Sequence, residues 1–240
     1  MRRLSLNANQ LKIIAIIAMV IDHAAGFFLP AGPLKIVLRT IGRLTAPIMC
    51  YMIAEGYFHT SNRKKYLGRL VLFAAISHLP FNYCMGFSLW PWHATSVIWA
   101  LAMGLLALMI VKEEKLHPLL RIGGLGMCCL LAYTANFNYV AVLWVVAFGW
   151  FHGSRKKQMI AFAVVGTATH LVQSFAPLLT GAITVDRFQY WFQLGIFLVI
   201  PLLLCYDGTL GKKSKFLSRF FYWFYPVHIV LLYLIKQLMA

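Results

Sequence analysis

Apolar runs of 15 to 21 residues recur along the whole chain, at 11–29, 37–57, 68–87, 95–111, 118–135, 138–152, 158–178, 190–206 and 219–239, and short polar connections separate them. As helices rising 1.5 Å per residue, runs of this length match a bilayer's hydrocarbon core. Nothing in the chain alternates like a barrel strand, and only helices satisfy their own backbone within one segment. The pattern predicts an all-α polytopic transmembrane bundle of about nine spans, a single domain over residues 1–240. No connection is long enough for a soluble domain. The first run is too long for a signal-peptide core and lacks a small-x-small cleavage site, so it reads as a spanning helix.

Charge orients the bundle. With the N-terminus on the cytoplasmic side, seventeen of the 22 Lys and Arg residues fall inside, and Lys35, Arg39, Arg43, Arg187 and Lys236 are left over. This follows the positive-inside rule and predicts a multi-pass membrane protein with an odd number of crossings and its C-terminus outside. The outer connections carry Trp90, Trp92, Phe137, Tyr139, Tyr190 and Trp191, a belt of interfacial aromatics. Composition adds that 61% of residues are hydrophobic and 12% charged, at a mean hydropathy of +0.76, which excludes a water-soluble domain. The formal net charge of +16 sits between the apolar runs, where anionic lipid accounts for it, so no nucleic-acid partner is expected. Five cysteines show neither CxxC nor metal spacing and read as packing residues; no metal is expected.

Several polar groups lie inside the runs. Lys12 opens LKIIAIIAMVIDHAAG, and Asp22 with His23 sits deep within it. Ionisable groups at such depth are costly and mark functional sites by default. Lys12 and His23 are eleven positions apart, three turns plus about 20°, so they share one helix face. The second run holds Arg39, Arg43, Pro47 and Glu55. Counting from the turn near residues 31–33, Asp22 matches Arg43 in depth and Lys12 matches Glu55, so this hairpin can pair its charges. A structural ion pair between Asp22 and Arg43 is one reading; the other makes His23, beside a carboxylate, a general base near neutral pH. Further polar groups are Ser77, His78, Pro80 and Asn82 in the third run, His170, Gln173 and Ser174 on one face of the seventh, and Tyr222, Tyr225 and His228 in the last. The third-run set is either structural or a site, with a kink at Pro80 turning backbone carbonyls toward a cavity; the seventh-run set suits helix–helix glue, whereas His228 is too deep for an interfacial anchor.

The blocks LKIIAIIAMVIDHAAG, GRLTAPIMCYMIAEGYFHTSNRKKYLGRLVLFAAISHLPFN and YWFYPVHIVLL resemble the TraX family, membrane proteins named for the conjugative F-pilin acetylase. The resemblance implies transfer of an acetyl group from acetyl-CoA to the N-terminal amine of pilin in the bacterial inner membrane. Lys12, ten residues and His23 are also similar to the basic-x10-His pattern of the integral-membrane acyltransferase-3 family, and YPVHI to a late block there. That similarity implies His23 as base and the basic residue near the acyl-CoA. Two elements depart from the TraX pattern: Ser96 and Ala100 in SVIWALAMGL, and Asn138-Tyr139-Val140 where a YG-containing element is expected.

Together these readings predict an acyl-CoA-dependent acetyltransferase. The catalytic candidates are His23 as base, Asp22 beside it, and His228 or Tyr225 for the oxyanion. The donor-binding candidates are Lys12, Arg43, Glu55, Arg63, Lys64, Lys65 and Arg69, with cations on the inner face toward the phosphates. The partners are acetyl-CoA, membrane lipids and an acceptor such as pilin. Alternatives at this level are O-acetylation of a surface glycan or lipid, a transporter or flippase using the same groups as a proton relay, and a non-enzymatic assembly factor.

Overall fold

The computed structural model describes residues 5–90, 93–171, 185–212 and 214–239. Every regular element among them is a helix: α1 Ala8–Phe28, α2 Pro33–Gly42, α3 Thr45–His59, α4 Arg63–Met85, α5 Val97–Val111, α6 Pro118–Leu131, α7 Asn138–Trp150, α8 Arg155–Gly166, α9 Val199–Leu204 and α10 Lys215–Met239. A π turn, Thr167–Leu171, follows α8, and a 3-10 stretch, Val185–Leu198, leads into α9. Among the described residues, two helical stretches are long and apolar enough to cross a membrane, Ala8–Phe28 and Pro33–His59 taken through its bend. The shorter apolar helices are Val97–Val111, Pro118–Leu131, Asn138–Trp150 and Phe192–Leu204.

α1 starts where its sequence says it must. Asn7 Oδ1 accepts from the Gln10 amide at 3.0 Å while Gln10 Oε1 accepts from the Asn7 amide at 2.9 Å, a reciprocal cap for two orphan donors. Leu11, Ala15, Ala18, Asp22 and Ala25 then form its buried stripe, and the alanines let neighbouring backbones approach closely. The second apolar run is one span in the sequence but two helices in the structure. The chain turns at Arg43 and Leu44, and the Thr45 hydroxyl donates to the Ala15 carbonyl at 3.0 Å. Pro47 falls in the first turn of α3, where its missing N–H costs no helical bond.

α5 and α7 form the centre, with Leu105, Leu108, Trp144 and Phe148 fully buried beside Phe162 of α8. Around them α1, α4 and α10 run in the same direction. At one end Lys12 lies over the Phe221 ring and Phe73 stacks on Tyr222; at the other Lys236 lies over Phe27 and Tyr83 meets Tyr233. The connections gather at the same two ends. Leu6 pairs with Tyr206, and Arg155 donates to the Leu204 carbonyl, at the end holding the N-terminal segment. Thr95 pairs with Ala135 at the opposite end. The Asp207 turn joins the first end through its carboxylate. Hydrogen bonds from the Thr209 hydroxyl and amide, with one from Ser5, hold that carboxyl below its ordinary pKa.

The polar cluster of the third run pins a connection. Asn82 Nδ2 donates to the Ala94 carbonyl at 3.3 Å and His78 Nε2 to the Leu89 carbonyl at 2.9 Å, satisfying backbone between α4 and α5. Gln173 and Ser174 lie outside the described residues, as does the side chain of His170. Cys50, Cys84 and Cys128 are buried.

Candidate functional site

His23 and His228 meet. On α1, Asp22 and His23 are 100° apart, so the carboxylate turns toward α2 while the imidazole turns toward α10. His23 Nδ1 lies 2.7 Å from His228 Nε2, with ring centroids 5.0 Å apart and planes 7° from parallel, the near-coplanar edge-to-edge arrangement of an N–H···N bond. The Phe224 ring lies parallel to His228, and Tyr225 stands edge-on to both histidines.

Hydrogen-bond chemistry fixes the protons of this pair. His228 Nδ1 is 2.8 Å from the Phe224 carbonyl. A carbonyl only accepts, so Nδ1 carries the hydrogen and Nε2 of neutral His228 is an acceptor. His23 therefore donates from Nδ1, which leaves the lone pair of His23 on Nε2. The arrangement is an imidazole held in one tautomer by a second imidazole, itself held by backbone. Tyr225 is buried with its hydroxyl close to the Val97 amide at the start of α5, short of a hydrogen bond of normal geometry.

The other side of α1 holds the ion pair. Arg43 Nη2 donates to Asp22 Oδ2 at 2.5 Å, and Arg39 Nε stands 3.5 Å from Asp22 Oδ1. The Phe192 ring lies 4.7 Å from the Arg39 guanidinium and 5.1 Å from that of Arg43, with Phe137 5.0 Å from Arg43. Gly42 makes this approach possible. A β-carbon there would stand 2.3 Å from the Asp22 β-carbon and 2.7 Å from its carboxylate. Gly42→Ala is expected to cost about 1–3 kcal/mol of stability through this overlap. Gly68→Ala, with open space at the same position on α4, should be neutral or slightly stabilising. Paired thermal melts in one detergent check both, and equal melting of the two variants would refute the close approach.

Lys12 and His23 do share a face, and that face borders α10: Lys12 lies 5.3 Å from the Phe221 ring centroid and His23 meets His228. The pairing of Lys12 with Glu55 is not formed. Glu55, buried near the end of α3, instead faces His152 Nε2 at 3.3 Å and His59 Nε2 at 3.5 Å. Counting from the turn gives depth but not direction, and Lys12 points toward α10 while Glu55 points toward α7 and its C-terminal turn. In the basic loop Arg63 lies over Tyr57 and donates to its carbonyl, while Lys64, Lys65 and Arg69 are exposed. His152 escapes sequence reasoning, because its link to Glu55 spans ninety-seven positions and no local pattern announces it.

These elements define an all-helical apolar bundle with a histidine pair inside it. The family described as TraX protein matches residues 7–236, and the chain belongs to that family. It is also 33% identical over 240 residues, 96% of each chain, to a protein of Dichelobacter nodosus named "Probable fimbrial assembly protein FimC, serogroup H1". No solved structure matches the chain.

Proposed function

We propose that this protein is a multi-pass membrane acetyltransferase that moves the acetyl group of acetyl-CoA to an amine, with the N-terminus of a pilin-type subunit as acceptor. The observation that carries the reading is the His23–His228 pair, which leaves a lone pair at His23 Nε2, with Lys12 on the same face of α1. The family and the fimbrial name of the relative support the pilin side of the reading. The bias of seventeen inner cations to five supports nine passes with the N-terminus in the cytoplasm.

In the reaction the amine nitrogen attacks the thioester carbonyl carbon and His23 Nε2 takes the amine proton. The C–S bond then breaks, His23 returns the proton to the leaving thiolate, and an amide remains. His228 has no N–H to spare for the oxyanion, since Nδ1–H is engaged by Phe224 and Nε2 accepts from His23. That leaves Tyr225 as the donor among the candidates. Asp22, locked to Arg43, steadies the helix that presents His23. Lys12 stands about 16 Å from His23 along α1, a gap that a pantetheine arm bridges.

Two measurements test this. Labelled acetyl-CoA should pass its acetyl group to a pilin N-terminal peptide only when the protein is present, and no transfer would overturn the reading. Acetyl-CoA should also raise the melting temperature, and Lys12→Ala should weaken that protection without lowering the melting point of the free protein. Equal protection of both proteins would remove Lys12 from the donor site.

A further inference from the structure

A cavity of about 90 Å³ opens beside the α1–α2 turn, lined by Ala31, Gly32, Lys35, Ile36, Arg39 and Phe192. It has room for one tetrahedral oxyanion but not for a nucleotide. Its described lining carries two cations, Lys35 and Arg39, and no carboxylate. Lys35, Arg39 and Arg43 rise along α2 at intervals of one turn, and Asp22 is the one carboxylate ion-paired with them among the described residues. Arg43 takes that carboxylate at close range. Arg39 stays 3.5 Å away, and among the described residues the buried Nε atoms of both arginines find no hydrogen-bond acceptor. Lys35 uses one N–H on the Leu29 carbonyl at 2.8 Å and has two more. These residues are also among the five cations that the positive-inside count leaves on the wrong side.

We propose that this cavity binds the phosphate of an anionic phospholipid headgroup. Guanidinium and ammonium donors suit phosphate oxygens, and away from bulk water their attraction is little screened. A lipid is favoured over free phosphate because Leu34 and Val37, on the exposed side of α2, are 61% and 55% exposed. A headgroup in the cavity lays its acyl chains along this apolar strip. The site rests on the proposed function in one respect, that this apolar surface faces a bilayer.

The test uses the whole protein purified in detergent, melted with added phosphatidylglycerol, phosphatidylcholine or inorganic phosphate. Phosphatidylglycerol should raise the wild-type melting temperature by roughly 5 °C, more than the zwitterionic lipid does, and inorganic phosphate should not. Lys35→Gln gives up one bond to a turn carbonyl, so it should fold as wild type yet lose at least half of the rise; Arg39→Gln should lose it as well. The site is overturned if either variant keeps the full rise, if both lipids act alike, or if inorganic phosphate matches the lipid. Cell fractionation separates the two layers of the claim. Release of the protein from membranes without detergent would sink the bilayer reading itself, whereas a detergent-requiring protein without headgroup selectivity would sink only the site.

Discussion

His23→Asn should lower acetyl transfer by roughly 10²–10⁴-fold while the protein keeps its fold and its affinity for acetyl-CoA. The tautomer of His23 selects this variant. An asparagine carboxamide places an N–H roughly where imidazole Nδ1 lies, so the donor to His228 Nε2, now 2.7 Å away, survives. What disappears is Nε2 and its lone pair. His23→Gln would instead put the carboxamide near the Nε2 position and disturb the contact with His228, so it mixes two effects. His228→Gln makes the complementary measurement. It retains an acceptor facing His23 but not the bond to the Phe224 carbonyl, so it should lose less than His23→Asn. Turnover of labelled acetyl-CoA in detergent decides the matter. Near-wild-type turnover by His23→Asn would make His23 a packing residue and end the general-base assignment.

The amino-acid sequence carries this prediction part of the way, and the reason lies in what local periodicity encodes. Position along a helix and azimuth around it are both functions of residue number, so the common face of Lys12 and His23 is legible from the sequence alone. Depth in a hairpin is also countable from its turn, which is why the count pairs Asp22 with Arg43, as the fold does. Direction between helices is not countable. Lys12 and Glu55 have the right depths but point to different neighbours, and the carboxylate meets His59 and His152 instead. The same limit hides the meeting of His23 with His228, two groups that stand out separately in the sequence and lie 205 positions apart. The proton arrangement is further out of reach, since it depends on a backbone carbonyl at Phe224 that has no sequence signature. Helix ends are less legible: the first run, read from residue 11, begins at the Asn7 cap, and the chain bends at Arg43 inside an uninterrupted apolar run.

Asp22→Asn should be strongly destabilising, at about 3–5 kcal/mol, because it leaves the buried Arg43 guanidinium without its counter-charge and takes the partner from the partly exposed Arg39. Arg43 is only 6% exposed and gives Asp22 a 2.5 Å hydrogen bond, so its charge has no route to water once the carboxylate is neutral. Arg39 lies 3.5 Å from the other carboxylate oxygen and loses its partner at the same stroke. Stacking against Phe192 and Phe137 offsets part of the cost, at about 0.5–2 kcal/mol per cation–π contact, but does not replace a counter-charge. Arg43→Gln should cost less than Asp22→Asn, since Arg39 remains beside the carboxylate. The double variant should be more stable than the sum of the single losses implies, with a coupling energy of about 1–3 kcal/mol for residues in direct contact. Chemical unfolding of the four proteins in one detergent measures the cycle. Additive losses would mean that Asp22 and Arg43 do not support one another, and the close packing at Gly42 would then need another cause.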